Sequence, residues 1–141
     1  MLSTPQNSAR QPNGPVAVVV DDNRVTRRLI RTLLHRLGIR SVTAPDGQAG
    51  LQTVQRIQPD LIVTDLEMPN MTGEQLVQAV RCNVDPRIAN LPIVVCSSCS
   101  ETFVASAISN LRADAFVPKP IGNDDFRTAV HQVMHQGDGT A

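Results

Sequence analysis

Short apolar runs recur along the chain and alternate with stretches in which apolar residues return every three or four positions. Apolar runs of this length are typical of strands that are buried on both faces of a sheet. The second run is more polar than the others, which favours a more exposed strand. The five predicted strands are VAVVV at 16–20, IRSVTA at 39–44, LIVT at 61–64, LPIVV at 91–95 and DAFV at 114–117.

The stretches between these strands predict helices. In the first stretch, Val25, Leu29, Leu33 and Leu37 lie on one helical stripe, which Gly38 closes. The other four helices are predicted in DGQAGLQTVQRI, in GEQLVQAV, over roughly 100–112 and from about Asn123 onwards. Five strands that alternate with five helices predict an α/β fold, in which one doubly wound parallel sheet carries helices on both faces.

The composition indicates one folded domain at 16–136 between two short tails. The chain has 141 residues, and 41% of them are hydrophobic, which is enough for a substantial core. The first segment, 1–15, is rich in Pro, Gln, Asn and Ser and is predicted to be a disordered tail. The last five residues, 137–141, are predicted to form a second tail.

Charge and hydropathy exclude several classes of partner. The 13 basic residues balance the 13 acidic ones, so strong nonspecific attraction to nucleic acid or to an anionic membrane is not expected. No apolar run approaches the ~20 residues that span a bilayer, and the amino terminus does not resemble a secretory signal. Three cysteines, an odd number, do not indicate a disulfide framework. We therefore expect a cytoplasmic protein.

Polar residues follow the predicted strands at the points where the strands end. Asp21 and Asp22 follow the first strand, Asp65 the third and Lys119 the fifth, and Ser97 lies at the end of the fourth. Ligands of such sheets bind beyond the carboxyl ends of the strands, so these side chains are expected to converge.

Three carboxylates at this edge would repel one another. Each pair at ~4 Å costs at most about 4 kcal/mol at an effective dielectric constant near 20. One lysine offsets only part of this repulsion, and a hard divalent cation such as Mg²⁺ (or Mn²⁺) would offset more. A carboxylate beside such a cation and an ammonium group is suited to accept a phosphoryl group.

The segments VVVDDN, TDLEMPNMTG, LPIVVCSS and FVPKP resemble the four signature segments of bacterial response-regulator receiver domains, which have the CheY-like fold. They occur in the family's order, at the ends of the predicted strands, and the resemblance covers roughly residues 16–136. It implies a flavodoxin-like sheet with strand order 2-1-3-4-5. It also implies a receiver of two-component signal transduction.

The resemblance further implies roles for individual residues. Asp65 resembles the phosphoacceptor. Asp22 resembles the direct metal ligand, with Asp21 acting nearby or through water. The main-chain carbonyl of Glu67 would be a third protein ligand of the metal. Because Glu67 brings a further carboxylate to the site, we expect its side chain to pair with Lys119 when no phosphate is present.

Three more residues match the part of the family's motif that responds to phosphorylation. Ser97 matches the switch hydroxyl, Lys119 the lysine that pairs with a phosphoryl oxygen, and Phe116 the switch aromatic. The bond between Lys119 and Pro120 resembles the family's cis peptide.

The resemblance implies a sensor histidine kinase or a histidine phosphotransfer protein as the phosphoryl donor. Phosphorylation would change the face formed by the helix at 100–112, the fifth strand and the last helix. The same face could serve a phosphorylation-dependent dimer. The chain would not be an enzyme beyond its own phosphorylation and dephosphorylation, and its downstream protein target is not identified by the sequence.

Other interpretations of these motifs stay open at this point. Cys96 and Cys99 form a CxxC between a strand and a helix, where thioredoxin-like proteins place their redox pair. Phe116 could be an ordinary core aromatic. His131 and His135 lie four residues apart on the last helix, and we expect them to lie on a solvated face, because a metal site would need more ligands.

Overall fold

A computed structural model describes residues 14–98 and 112–135 and contains the predicted parallel sheet. Its strand order is β2-β1-β3-β4-β5, and every adjacent pair is parallel. This confirms both the fold class and the strand order. The strands are β1 (Val16–Val20), β2 (Arg40–Ala44), β3 (Leu61–Thr64), β4 (Ile93–Ser97) and β5 (Ala115–Pro118).

Four of the five predicted helices fall within the described residues and are confirmed. The helix predicted at 100–112 lies almost wholly outside them, as do the two predicted tails, so the domain boundaries at 16–136 stay predictions. A one-turn helix that was not predicted begins at Pro86. Asp85 caps this helix, because its side chain accepts a hydrogen bond from Arg87 N. The described helices are α1 (Arg24–Arg36), α2 (Gly47–Ile57), α3 (Gly73–Arg81), α4 (Pro86–Ala89) and α5 (Asn123–Met134).

Both faces of the sheet are buried, which explains why the central strands β1, β3 and β4 are apolar except at Thr64 and Ser97, the last residues of β3 and β4. Alternate residues of β1 point to opposite faces, so Val18 packs in one core and Val19 in the other. The first core contains side chains from α2 and α3, and the second contains side chains from α1 and α5. None of the described helices is long and apolar enough to cross a membrane.

The cap of α1 decides which of the residues after β1 is available for chemistry. The Asn23 side chain accepts a hydrogen bond from Thr26 N and caps the helix. The Asp21 side chain accepts a hydrogen bond from Asn23 N at 2.8 Å, which fixes its carboxylate at the end of the strand. Asp22 lies between them and is exposed, so its carboxylate is not used as a cap.

At the amino end of the sheet, the Arg81 side chain forms hydrogen bonds to several segments of the chain. Its side chain is only 9% exposed and donates five hydrogen bonds, two of them to the Arg112 carbonyl. Two more go to the carbonyls of Ala89 and Leu91, both at 2.8 Å. The fifth reaches Asp114, whose carboxylate also accepts from the main chain at the start of β4. All five N–H groups of the guanidinium are therefore satisfied.

Candidate functional site

Strands β1 and β3 bring two buried carboxylates together at the carboxyl end of the sheet. Val20 is in register with Thr64, and Asp65 N donates to Val20 O at 3.0 Å, so Asp21 and Asp65 follow their strands side by side. Asp21 is 1% exposed and Asp65 is 6% exposed. One carboxylate oxygen from each of Asp21, Asp22 and Asp65 lies within 4.8 Å of the others. The structure thus brings together the three predicted acids.

Strand β5 brings the ammonium group of Lys119 to these acids. Lys119 N donates to Ser97 O at 2.9 Å, which continues the ladder between β4 and β5 beyond the strand. The Lys119 Nζ atom lies 2.9 Å from Asp21 Oδ2 and 3.3 Å from Asp65 Oδ2. The peptide bond between Lys119 and Pro120 is cis, as the resemblance implied.

The predicted pairing of Glu67 with Lys119 is wrong. The Glu67 side chain is exposed, and among the described residues Lys119 forms ion pairs with Asp21 and Asp65. The reason is the alternation of the chain after β3: Met68 is buried, and its neighbour Glu67 points to solvent. The buried carboxylates therefore hold the lysine.

The three acids differ in how far they are already engaged. Asp21 is buried and bonded to Lys119 and to the main chain. Asp22 is exposed, and within the described residues its carboxylate takes part in no hydrogen bond or ion pair. It lines an open groove of about 510 Å³ together with Glu67 and Glu74. Asp22 is thus the acid with free ligand positions toward solvent.

Burial and charge change the protonation behaviour of the site. Burial raises the pKa of the Asp65 carboxyl above its ordinary value of 3.8; the Lys119 ammonium lowers this pKa and the Asp21 carboxylate raises it, with a net upward shift. Burial lowers the pKa of Lys119, but its hydrogen bonds and charge interactions with Asp21 and Asp65 more than compensate, so the net direction is again upward. The lysine is therefore held charged, while the ionised form of Asp65 is disfavoured.

The loop after β3 fixes the direction of the Asp65 side chain. Leu66 N donates to Asp65 Oδ1 at 2.8 Å, and Gly73 N donates to Leu66 O at 2.9 Å. A Cβ atom on Gly73 would lie 1.9 Å from Asp65 O, so only glycine fits at this position. Sequence reasoning missed Gly73 as a positioning residue. The available signal was a glycine directly after Thr72, which caps α3.

Ser97 and Phe116 lie on the same face of neighbouring strands. Val95 is in register with Phe116, and Ser97 lies two residues beyond Val95, so both side chains point toward the first core. Ser97 is fully buried, and Phe116 is half-buried against that core. Their position is compatible with a coupled movement.

Cys96 has the properties of a core residue and not of a redox centre. Its side chain is fully buried in the second core, and burial raises the pKa of its thiol to about 12. A redox cysteine needs the opposite, an accessible thiol with a lowered pKa. Cys99 lies outside the described residues, and nothing in the structure supports the thioredoxin-like alternative. His131 is exposed on α5, and His135 is exposed at the carboxyl-terminal cap of that helix.

Comparisons with known proteins all lead to the same family. The family model described as the response regulator receiver domain matches residues 17–131. Hybrid signal transduction histidine kinase D of Dictyostelium discoideum is 32% identical over 122 residues, which are 86% of this chain and 8% of that protein. A protein-glutamate methylesterase/protein-glutamine glutaminase of a Nocardioides species is 35% identical over 120 residues, which are 82% of this chain and 32% of that protein.

Solved structures agree with this similarity. The chemotaxis protein CheY4 of Vibrio cholerae matches with a TM-score of 0.77 at 25% identity, over 84% of this chain and 98% of that one. A response regulator receiver protein of Pseudomonas putida matches with a TM-score of 0.74 at 27% identity, over 84% and 96% of the two chains. The chain spans less than half the length of the curated relatives it matches, from 8% to 48%.

Proposed function

This chain belongs to the response regulator receiver domain family, and we propose that it accepts a phosphoryl group on Asp65 from a histidine kinase or a histidine phosphotransfer protein. The observation that supports this assignment best is the position of Asp65, a buried acid at the end of a central strand, 3.3 Å from Lys119 Nζ. Curated relatives of this chain include histidine kinases, which supports a donor of that class.

In the proposed step, a carboxylate oxygen of Asp65 attacks the phosphorus of the donor. A new P–O bond forms, the P–N bond to the donor imidazole breaks, and the imidazole leaves with the electron pair of that bond. Lys119 stabilises the negative charge on a phosphoryl oxygen, and its raised pKa keeps it charged for that role. The Leu66 N–H group holds one oxygen of Asp65, which leaves the other oxygen to act as the nucleophile. The reaction changes the protein itself, so no separate substrate is turned over.

The donor set fits a divalent cation of the Mg²⁺ or Mn²⁺ type. Three carboxylates face one ammonium group, so the ion pairs of the described residues leave an excess of negative charge at the site. We propose that Asp22, Asp65 and the main-chain carbonyl of Glu67 hold the cation, and that Asp21 supports it. When bound, such a cation neutralises charge on the incoming phosphoryl group.

The proposal extends to the response of the protein. We propose that Ser97 donates a hydrogen bond to the phosphorylated Asp65 and that Phe116 fills the space that Ser97 leaves. The register of β4 and β5, which puts both side chains on the same face of the sheet, supports this coupling. A charge-assisted hydrogen bond and a buried Phe are each worth about 1.5–3 kcal/mol, which is comparable with the gap between two conformers. Replacement of Ser97 by alanine should then leave phosphorylation intact and reduce the amide shifts around Phe116 on addition of beryllofluoride.

Phosphorylation by a small donor tests the proposal. The protein is incubated with acetyl phosphate and Mg²⁺, and its intact mass is measured. The wild-type protein should gain one phosphoryl group, and Asp65→Asn should gain none. Asp124→Asn, which changes an acid that is 89% exposed on α5, should be labelled like the wild type. Equal labelling of the Asp65 variant would refute the assignment.

A further inference from the structure

A continuous stretch of positive charge covers the outer side of α1. Between Asp22 and Asp46 the sequence contains six of the 13 basic residues and no acidic one. Within the described residues, none of these arginines takes part in an ion pair. The helical spacing places Arg24, Arg28, Arg31 and His35 on one stripe, and all four are exposed.

A groove separates this stripe from the edge of the sheet. It has a volume of about 570 Å³, and its lining includes Arg28, Arg31 and His35 from α1 and Arg40 and Ser41 from β2. Arg40 begins its strand, so the groove lies toward the amino end of the sheet. It is therefore remote from the carboxylates at the other end.

The main chain of β2 is open on the side away from β1, because β2 is an edge strand. Arg40 N donates to Pro15 O at 3.0 Å, and Ala44 O accepts from Asp21 N at 3.2 Å, so the even-numbered residues bond on the β1 side. Successive residues of a strand point their main-chain groups in opposite directions. The N–H and C=O groups of Ser41 and Thr43 consequently face outward, where no strand of the described chain pairs with them.

We propose that this edge binds an extended acidic segment of a partner protein, which adds to β2 as a further strand. The main chain of the segment would pair with Ser41 and Thr43, and its acidic side chains would meet the arginines of α1. Arginine is suited to this role because its planar fork of donors matches a carboxylate. The charge complementarity is strong, since no acid of α1 or β2 competes for these arginines.

The same features argue against a nucleic acid as the occupant. The open edge offers both donors and acceptors, which a peptide main chain satisfies together, whereas the phosphate oxygens of a nucleic acid only accept. The lining of the groove contains one imidazole ring, that of His35, and no Phe, Tyr or Trp side chain on which bases could stack. The alternative is that the arginines only prevent the open edge strand from aggregating. In that case the edge would bind no ligand.

Fluorescence anisotropy with a labelled peptide tests the proposal. The probe is a short peptide in which glutamate alternates with valine, and its partner is the full chain. Arg28→Glu combined with Arg31→Glu should weaken binding about tenfold or more. The matched control, Arg56→Glu combined with Arg127→Glu, makes the same change of charge at exposed positions outside the groove and should weaken binding much less.

Two further measurements test whether the peptide adds to β2 as a strand. Thr43→Pro removes an outward N–H group and keeps the ladder to β1, so it should also weaken binding about tenfold. A probe with methylated main-chain nitrogens checks this without altering the protein and should bind as weakly. Because the groove is remote from Asp65, labelling by acetyl phosphate should be the same in the two double arginine variants and in the wild type.

Several results would overturn the proposal. These are no binding of the glutamate peptide to the wild type, an equal loss in the control variant, or undiminished binding of the methylated peptide. Competition by a short DNA duplex that matches the peptide in strength and survives Thr43→Pro would identify a nucleic-acid surface instead.

Discussion

Two groups of charged side chains lie at opposite ends of the sheet, and they differ in whether their charges and hydrogen bonds are balanced. At the amino end, Arg81 places all five of its N–H groups on four acceptor residues and forms an ion pair with Asp114 at 3.0 Å. At the carboxyl end, three carboxylates face the single ammonium group of Lys119.

The difference separates a structural group from a functional one. A buried ion pair whose donors are all satisfied has nothing left to offer a ligand, and its loss mainly costs stability. A group with excess negative charge is destabilised until a cation arrives, so it is suited to binding and chemistry. Four predictions test this contrast, from the largest expected effect to the smallest.

The balanced group should be the more costly to break. Arg81→Met leaves Asp114 without its ion-pair partner and three carbonyl groups without a donor, so the free energy of unfolding should fall by about 3–5 kcal/mol in urea titrations. The control is Arg87→Met, which removes an arginine that is 69% exposed and that, among the described residues, forms its ion pair with Asp85. That change should have little effect. Equal losses in the two variants would show that the buried network adds no stability.

Loss of Lys119 should increase the excess of negative charge at the carboxyl end of the sheet and so lower the stability of the protein. Lys119→Met removes a charge-assisted hydrogen bond and should cost about 1.5–3 kcal/mol at neutral pH. The pKa of Lys119 is raised on folding, so its stabilisation is complete below its ordinary value of 10.5 and is lost as the pH rises through the folded-state pKa. The difference in unfolding free energy from the wild type should therefore disappear at very alkaline pH. A difference that persists there would contradict a charge-based role.

Neutralisation of Asp65 should stabilise the protein. Its pKa is raised on folding, so the folded wild type loses stability as the pH rises from 3.8 through the folded-state pKa. Asp65→Asn removes this loss, and its melting temperature at neutral pH should exceed that of the wild type by a few degrees. Below pH 3.8 the gain should vanish. An unchanged or lower melting temperature at neutral pH would mean that the ionised carboxylate is well stabilised without a cation.

Binding of a divalent cation should also reduce the repulsion between the three carboxylates. Mg²⁺ at ten times its dissociation constant should stabilise the wild type by about 1.4 kcal/mol through mass action. Asp22→Ala removes the exposed ligand and should abolish most of this gain. The control is Glu74→Ala, which changes an acid of the same groove outside the group of three. If Asp22→Ala keeps the full gain in a thermal melt, the cation binds elsewhere.

The sequence was sufficient for the residues whose position follows from where a strand ends. Apolar runs that stop at Asp21, Asp65 and Lys119 predict both the sheet and the side chains that meet at its edge. The pairing of Glu67 was predicted wrongly because the sequence does not reveal which way a loop side chain points. Only the burial of Met68 in the folded chain shows that Glu67 faces solvent.

Other features depend on contacts between distant segments. Arg81 reaches acceptors up to 33 residues away, and no local pattern encodes such partners. The need for Gly73 arises only when α3 approaches the main chain of Asp65. The short helix α4 could have been predicted, since an aspartate followed by a proline is a recognised helix start.

Chemical mapping of the phosphorylated residue tests the central claim most directly. After labelling with acetyl phosphate and Mg²⁺, borohydride reduces an aspartyl phosphate to homoserine, and peptide mass spectrometry locates the converted residue. The account predicts homoserine at position 65 and unchanged aspartates at positions 21 and 22. Homoserine at either of those positions, or labelling with no conversion of Asp65, would contradict it.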